Sequence, residues 1–301
     1  GDDAVEPLIA LLDQPDAALR VSAIEMLALL KAERAAPELL AVYYDPAAGP
    51  QVRQAALEAL RPLVRHIPAA IEASRLLQEK AEQYFDGKQP VRGDLLGRVE
   101  LWHWDPTARR CVVRTCRTED AARYLAARLA RQAATISPGN QEAQILRLAA
   151  AMELAAYNNE LRPLSEETVE RLAAGQSVEM LQGVLDWALQ RHHPAAATVA
   201  AQALGLLAAN AQAAGGQAAA SWEHILVRGS QPTPLVMALR YPDRRLRIAA
   251  AEAIVRLAPD RPFPGASYLG ETLAFFAGYS GVRRALSAGP SAAVAHDNAA
   301  W

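Results

Sequence analysis

Lysine is almost missing from this chain: Lys31, Lys80 and Lys88 are the whole complement, and arginine supplies the rest of the 31 basic residues. A GC-rich genome favours arginine and alanine codons together, so this bias needs no functional cause. An excess of either charge is also lacking. The 31 basic residues face 33 acidic ones for a formal charge of -2, which argues against a dedicated nucleic-acid binder with a counterion-displacing basic face. Cysteine occurs twice, at Cys111 and Cys116, too few for a disulfide framework. Both fall in a run that reads as a strand, where five residues of separation place them about 16 Å apart on opposite faces, beyond disulfide reach. Free thiols lean towards a reducing, cytoplasmic compartment. The absence of an initiator methionine before Gly1 leaves a processed periplasmic form open. No apolar run approaches the roughly 20 residues needed to span a bilayer, so no transmembrane segment is expected. A Gly-rich phosphate loop, a Gly-x-Ser-x-Gly elbow and a paired-carboxylate constellation are all missing. No catalytic residue, cofactor or metal is therefore assigned, and the expectation is a protein without enzymatic activity.

What the chain has is alanine and repetition. Roughly a fifth of the residues are alanine, the best helix former, and aromatics are only 6%. Small side chains suit helices stacked closely, so the fold class expected is all-α. The segment Pro7-Leu8-Ile9, Leu12, Pro15-Asp16, Leu19-Arg20-Val21, Ala23, Glu25, Leu27 returns 227 positions later. It is then Pro234-Leu235-Val236, Leu239, Pro242-Asp243, Leu246-Arg247-Ile248, Ala250, Glu252, Ile254. A third copy holds Leu39-Leu40, Asp45-Pro46, Val52-Arg53, Ala56-Leu57-Glu58 and Leu60, and a degenerate one lies near His193-Pro194 and Ala203-Leu204. Self-similarity over thirty-odd residues is the signature of a helical solenoid. Each unit predicts an apolar helix, a proline break and a second helix, at 5–30, 36–64, 177–208 and 234–258. Leu19, Ile24, Leu27, Leu57, Leu60, Leu246 and Ile254 are expected to be buried between layers.

These units resemble HEAT repeats, particularly the short bacterial type associated with phycobilin lyases. The match lies in the Asp-Pro-type break and in Leu19-Arg20-Val21-Ser22-Ala23, Val52-Arg53-Gln54-Ala55-Ala56 and Leu246-Arg247-Ile248-Ala249-Ala250. The resemblance implies a right-handed helical-repeat solenoid and says nothing about activity. Deoxyhypusine hydroxylase, an enzyme branch of HEAT-like proteins, relies on repeated His-Glu pairs. No histidine here is followed by glutamate, so that activity is excluded. Nothing in the sequence identifies a bilin pocket.

The middle departs from the repeat. Residues 67–85 read as one long amphipathic helix, and Val99-Glu100-Leu101-Trp102-His103-Trp104 and Cys111-Val112-Val113-Arg114-Thr115-Cys116 flank a proline-containing turn, as a β-hairpin insertion would. Further on, Ile136-Ser137-Pro138-Gly139-Asn140 resembles the join between two tetratricopeptide units. The expected organisation is N-terminal HEAT-like repeats over 1–65, helix plus hairpin over 66–120 and a tetratricopeptide-like segment over 121–176. C-terminal HEAT-like repeats over 177–280 and an Ala/Gly/Ser-rich tail over 281–301 complete it.

Two residue sets invite a functional reading. Arg20, Arg53 and Arg247 recur with Asp16 and Asp243, which stand one turn before two of them. Opposite charges at that spacing support a helix start, so this ladder is read as structural. The second set is Trp102, Trp104, Arg109, Arg110 and Arg114, residue types enriched at the energetic centres of interfaces, inside an insert the repeat does not require. The leading expectation is a scaffold that binds another protein or organises an assembly through this insert. The alternative is a nucleic-acid binder using the seven arginines between Arg109 and Arg131, as in the DNA glycosylases built on HEAT-like scaffolds. A third reading is an accessory subunit of a lyase-type enzyme.

Overall fold

The computed structural model describes residues 2–213 and 221–278. The tail read over 281–301 lies outside the described residues. Among the described residues the chain is mostly helical, with fourteen α-helices and two short antiparallel hairpins.

The first repeat is α1 (Val5–Ala10) and α2 (Ala17–Leu29), and the second is α3 (Ala36–Tyr44) and α4 (Pro50–Leu60). Proline and aspartate between the helices do what their chemistry dictates. Pro15 cannot continue α1, and the Asp16 carboxylate accepts from the N–H groups of Ala18 and Leu19 at 2.8 and 3.2 Å, capping α2. The last repeat, α12 (Pro234–Ala238) and α13 (Arg244–Leu257), reproduces this detail. Asp243 accepts from Arg245 and Leu246 N–H at the same 2.8 and 3.2 Å. Even the stop is repeated: Lys31 and Ala258, again 227 apart, both take a left-handed backbone with φ of 49° and 47°.

Between these ends run α5 (Ala70–Phe85), α6 (Thr118–Ile136), α7 (Gln141–Asn158), α8 (Glu166–Ala173), α9 (Val178–Gln190) and α10 (Pro194–Ala213). Helices α5 and α6 pack against each other as an antiparallel pair, and α6 turns into α7 at Ser137–Asn140. The Asn140 carboxamide caps α7. Helix α11 (Ser221–Leu226) and a two-residue hairpin lead into α12, and α14 (Ala266–Ala277) packs on α12 and α13. Among the described residues two large apolar clusters, with a small third at Val99, Leu101 and Ala121, form the core. Of the large ones, one spans the first two repeats; the other runs from α5 to Phe263 and includes Ala41 of α3.

Ile24, Leu27, Leu60, Leu246 and Ile254 are fully buried, as the repeat pattern predicts. Leu19 is not: it is 52% exposed. Its equivalents Val52 and Leu246 are covered because α4 lies against α2 and α13 against α10, each the second helix of the preceding pair. No described second helix precedes α2, so the same position faces outward. Leu57 is half-buried for a related reason, since the substantial neighbours of α4 are α2 and α3 alone.

Candidate functional site

The hairpin pairs β1 (Arg98–Asp105) with β2 (Arg110–Arg117), in register from Arg98 opposite Arg117 to Asp105 opposite Arg110. It enters between the two helices of the α5–α6 pair. Asp105 builds the turn: its carboxylate accepts from the N–H groups of Thr107 and Ala108 at 2.8 and 3.0 Å, and Arg109 closes it with a φ of 49°. Those two N–H donors, led by Ala108, hold the Asp105 carboxyl below its ordinary range.

Alternation along the strands gives two faces. On one, Val99 and Leu101 are buried with Ala121 at the start of α6, and the His103 ring meets Tyr124 edge-on at 6.3 Å. On the other, Trp102 stands opposite Val113 and Trp104 opposite Cys111, and this face turns to α1, where the Cys111 thiol lies 3.7 Å from the Pro7 carbonyl. Both tryptophans are half-buried. The indole N–H of Trp104 is shielded from solvent and finds no acceptor among the described residues. Arg109, Arg110 and Arg114 are exposed, and none of them ion-pairs with a carboxylate among the described residues. The structure thus places all five candidate residues on one hairpin, with the indoles partly covered and the guanidinium groups outward.

The wider arginine stretch does not form one surface. Arg117 and Arg123 both bind Asp120 at 2.9 Å, and Arg123 also lies 3.4 Å over the Tyr157 ring. Arg128 is buried, donating to the Ile9 carbonyl at 2.9 Å with Asp13 at 3.3 Å, and Arg131 reaches the same carboxylate. Four of the seven arginines are therefore engaged inside the molecule.

The repeat arginines also differ from expectation. Asp16 and Asp243 act as helix caps, and Asp243 pairs with Arg245 at 3.3 Å; neither carboxylate pairs with the arginine one turn on. Capping wins because the carboxylate lies directly over the free N–H groups of the first turn. Arg247 lies over the rings of Phe275 and Phe276 of α14, at 4.3 and 5.3 Å. Arg20 faces a polar hollow shared with Asp13, Asp45 and Arg131, and Arg53 is exposed. The guanidinium Nε atoms of Arg20 and Arg247 are both buried without a hydrogen-bond partner among the described residues.

A polar knot that the sequence did not flag joins α5, α7 and α10. His193, just before α10, reaches Asp86 at 3.3 Å and Glu153 at 3.8 Å, and its ring stacks 4.1 Å from Phe85. Glu153 is buried and accepts from the Ala196 N–H at 2.8 Å, capping α10 from α7. Burial works against the Asp86 charge, yet hydrogen bonds from Lys88 and His193 hold its carboxyl below the usual range. The only hint in the sequence was the His192-His193 pair; the partners come from 107 and 40 residues away.

Burial pushes the Cys111 and Cys116 thiols up, away from the reactive thiolate. Among the described residues no group of three or more His, Cys, Asp or Glu side chains could hold a metal, and no helix is long and apolar enough to cross a membrane.

No curated protein matches the sequence. The family model described as HEAT repeats matches residues 1–61, the two helix pairs α1–α2 and α3–α4. That match covers about a fifth of the chain and supports a HEAT-repeat protein.

Proposed function

We infer that this chain is a non-catalytic helical-repeat scaffold that binds another protein through the β-hairpin. One observation carries the reading: Arg109, Arg110 and Arg114 are exposed and form no ion pair with a carboxylate among the described residues, beside two tryptophans left half-covered. A hairpin serving only as a clasp would bury its indoles and satisfy its guanidinium groups internally. Trp and Arg in an insert outside the repeat are the residue types that dominate binding energy at protein interfaces. HEAT repeats are commonly interaction scaffolds, which fits the same role.

The finer architecture belongs to this proposal. The helix pairs are read as layers of a right-handed solenoid, with HEAT-like units over 1–65 and 177–280 and the hairpin inserted over 66–120. The 121–176 stretch is a tetratricopeptide-like pair, and the repeats are of the bacterial, phycobilin-lyase type. Nucleic-acid binding is the weaker reading, because four of the seven arginines already hold internal partners.

Salt and substitution separate the two. Trp104→Ala and Arg110→Ala should each weaken capture of a protein partner about tenfold or more, as interface anchors do. Capture by the wild type should survive moderate salt and nuclease. Unchanged partner binding with only lowered thermal stability would make the hairpin a clasp. Steep loss between about 50 and 200 mM salt would favour phosphate contacts.

A further inference from the structure

The outer side of β2 is an open sheet edge. Among the described residues β1 and β2 pair only with each other, so each strand has one side without a strand neighbour. For β1 that side is occupied at its start, where Leu95 and Arg98 exchange backbone hydrogen bonds at 2.8 and 3.2 Å. β1 also lies against α1. The substantial neighbours of β2 are β1 and α6, the helix into which it runs. None of its eight residues is buried, whereas Val99 and Leu101 of β1 are.

A single bond fixes which backbone groups of β2 point outward. The Thr118 N–H donates to the Gly97 carbonyl at 3.0 Å, in step with the register that sets Arg98 opposite Arg117. Residues 97 and 118 are therefore a hydrogen-bonded pair, and alternation makes every second pair from Val99–Cys116 to Asp105–Arg110 the same. Cys111, Val113 and Thr115 then turn their N–H and C=O groups away from β1. Those groups have no other hydrogen-bond partner among the described residues. Edge strands are commonly blunted by a proline, a bulge or a covering element. β2 has no proline and its register is unbroken.

Its guard is charge of one sign, and that selects the occupant. β2 carries Arg110, Arg114 and Arg117 and no carboxylate. Asp120 holds Arg117. Asp105, opposite Arg110, directs its carboxylate to the turn N–H groups, and Glu100, opposite Thr115, stands on the other face of the hairpin. A strand added at the edge lies about 5 Å from β2 and about twice that from β1, so it meets the β2 arginines ahead of either β1 carboxylate. Arg110 and Arg114 share one face with Val112 between them. Towards an added antiparallel strand these three are non-hydrogen-bonded positions, where paired side chains approach most closely. The β2 edge of a second copy would set arginine against arginine. Residues 279–301 offer one acidic residue, Asp297, against Arg283 and Arg284. A phosphate chain would meet the arginines and leave the edge N–H and C=O groups unpaired.

We propose that β2 takes up an extended, acidic segment of a partner protein as a third strand, with carboxylates opposite Arg110 and Arg114 and an apolar side chain opposite Val112. The inference rests on the reading of the hairpin as the protein-binding surface, and it specifies how the partner is held.

Fluorescence anisotropy on the full chain tests it with short labelled peptides centred on Glu-Thr-Val-Thr-Glu, a pattern that reads the same in both strand directions. A Lys-Thr-Val-Thr-Lys control should bind about fivefold or more weakly, as two exposed attractions become repulsions. Methylating the two Thr nitrogens removes the donors to the β2 edge and should weaken binding about tenfold. Methylating the Val nitrogen, which points to solvent, should change it little. Val113→Pro removes an outward N–H and leaves the ladder to β1 intact, the setting in which an edge strand tolerates proline. It should weaken the Glu peptide about fivefold. Circular dichroism checks that this variant folds, and the methylated peptides decide the matter if it does not. No binding by the Glu peptide, equal loss on methylation at Thr and at Val, or an oligonucleotide that displaces the peptide at moderate salt would each overturn strand addition. The hairpin reading then still stands if Trp104→Ala and Arg110→Ala weaken capture of the protein partner, and falls if both leave it unchanged.

Discussion

Leu19 and Leu246 occupy the same place in their repeats, and truncating each to alanine separates repeat position from actual packing. Leu246 is fully buried where α13 lies against α10, whereas Leu19 is 52% exposed on α2. Leu246→Ala removes the leucine's outer methyl groups from the core and leaves a cavity that stacked helices close only in part, which costs about 2–5 kcal/mol. Leu19→Ala removes a side chain about half of which is already in water, and should cost no more than about 1 kcal/mol. Val52→Ala, buried at the same position between α2 and α4, should fall between them at about 1–3 kcal/mol. Urea unfolding followed by far-ultraviolet circular dichroism gives the totals. Because α2 and α13 belong to different apolar clusters, hydrogen exchange on each should report where each loss occurs. A Leu19→Ala loss as large as that of Leu246→Ala would mean α2 is covered in solution and would refute the layer reasoning. A loss under about 1 kcal/mol at Leu246 would mean α13 is not tightly packed there.

Three further outcomes follow from buried groups. Burial raises the Glu38 carboxyl above its usual 4.5, against the pull of Arg128 and Lys80. The folded state therefore holds that proton more tightly, and its contribution to stability is lost as pH rises from about 4.5 through the raised native value. Glu38→Gln should flatten that fall in a series of melts at different pH; parallel curves for the two proteins would contradict it. Gly205→Ala should destabilise by about 1–3 kcal/mol in urea titrations, because the new methyl meets the Ala253 backbone. Arg128→Met should cost about 2–3 kcal/mol, discounted from a fully buried pair because Asp13 keeps some solvent. A neutral result would show that Asp13 and the Ile9 carbonyl find water instead.

Local signals were legible wherever the chain contacts itself nearby. Pro15-Asp16 and Pro242-Asp243 announce helix breaks and caps, and the runs around Asp105-Pro106 announce a hairpin, because turns and caps depend on a few adjacent residues. Burial was legible only where the neighbour could be counted. Ile24 and Ile254 are fully buried, while Leu19 depended on a preceding layer that no residue of its own repeat encodes. The knot of Asp86, Glu153 and His193 was invisible for the same reason: its members meet through helix packing across distant sequence. Periodicity also misled the charge reading, since a carboxylate one turn before an arginine serves equally well as a cap, and the geometry of the first turn decided for the cap.

The central claim is that the hairpin is a protein-binding surface on a repeat scaffold, and co-purification from the source cell tests it most directly. Wild-type chain and an Arg109→Glu, Arg110→Glu, Arg114→Glu variant of equal thermal stability are compared, with nuclease present and bound proteins identified by mass spectrometry. A defined protein partner should co-purify with the wild type, survive moderate salt and be lost from the variant. The same partner retained by the variant, or nucleic acid as the sole salt-sensitive companion of the wild type, would contradict it.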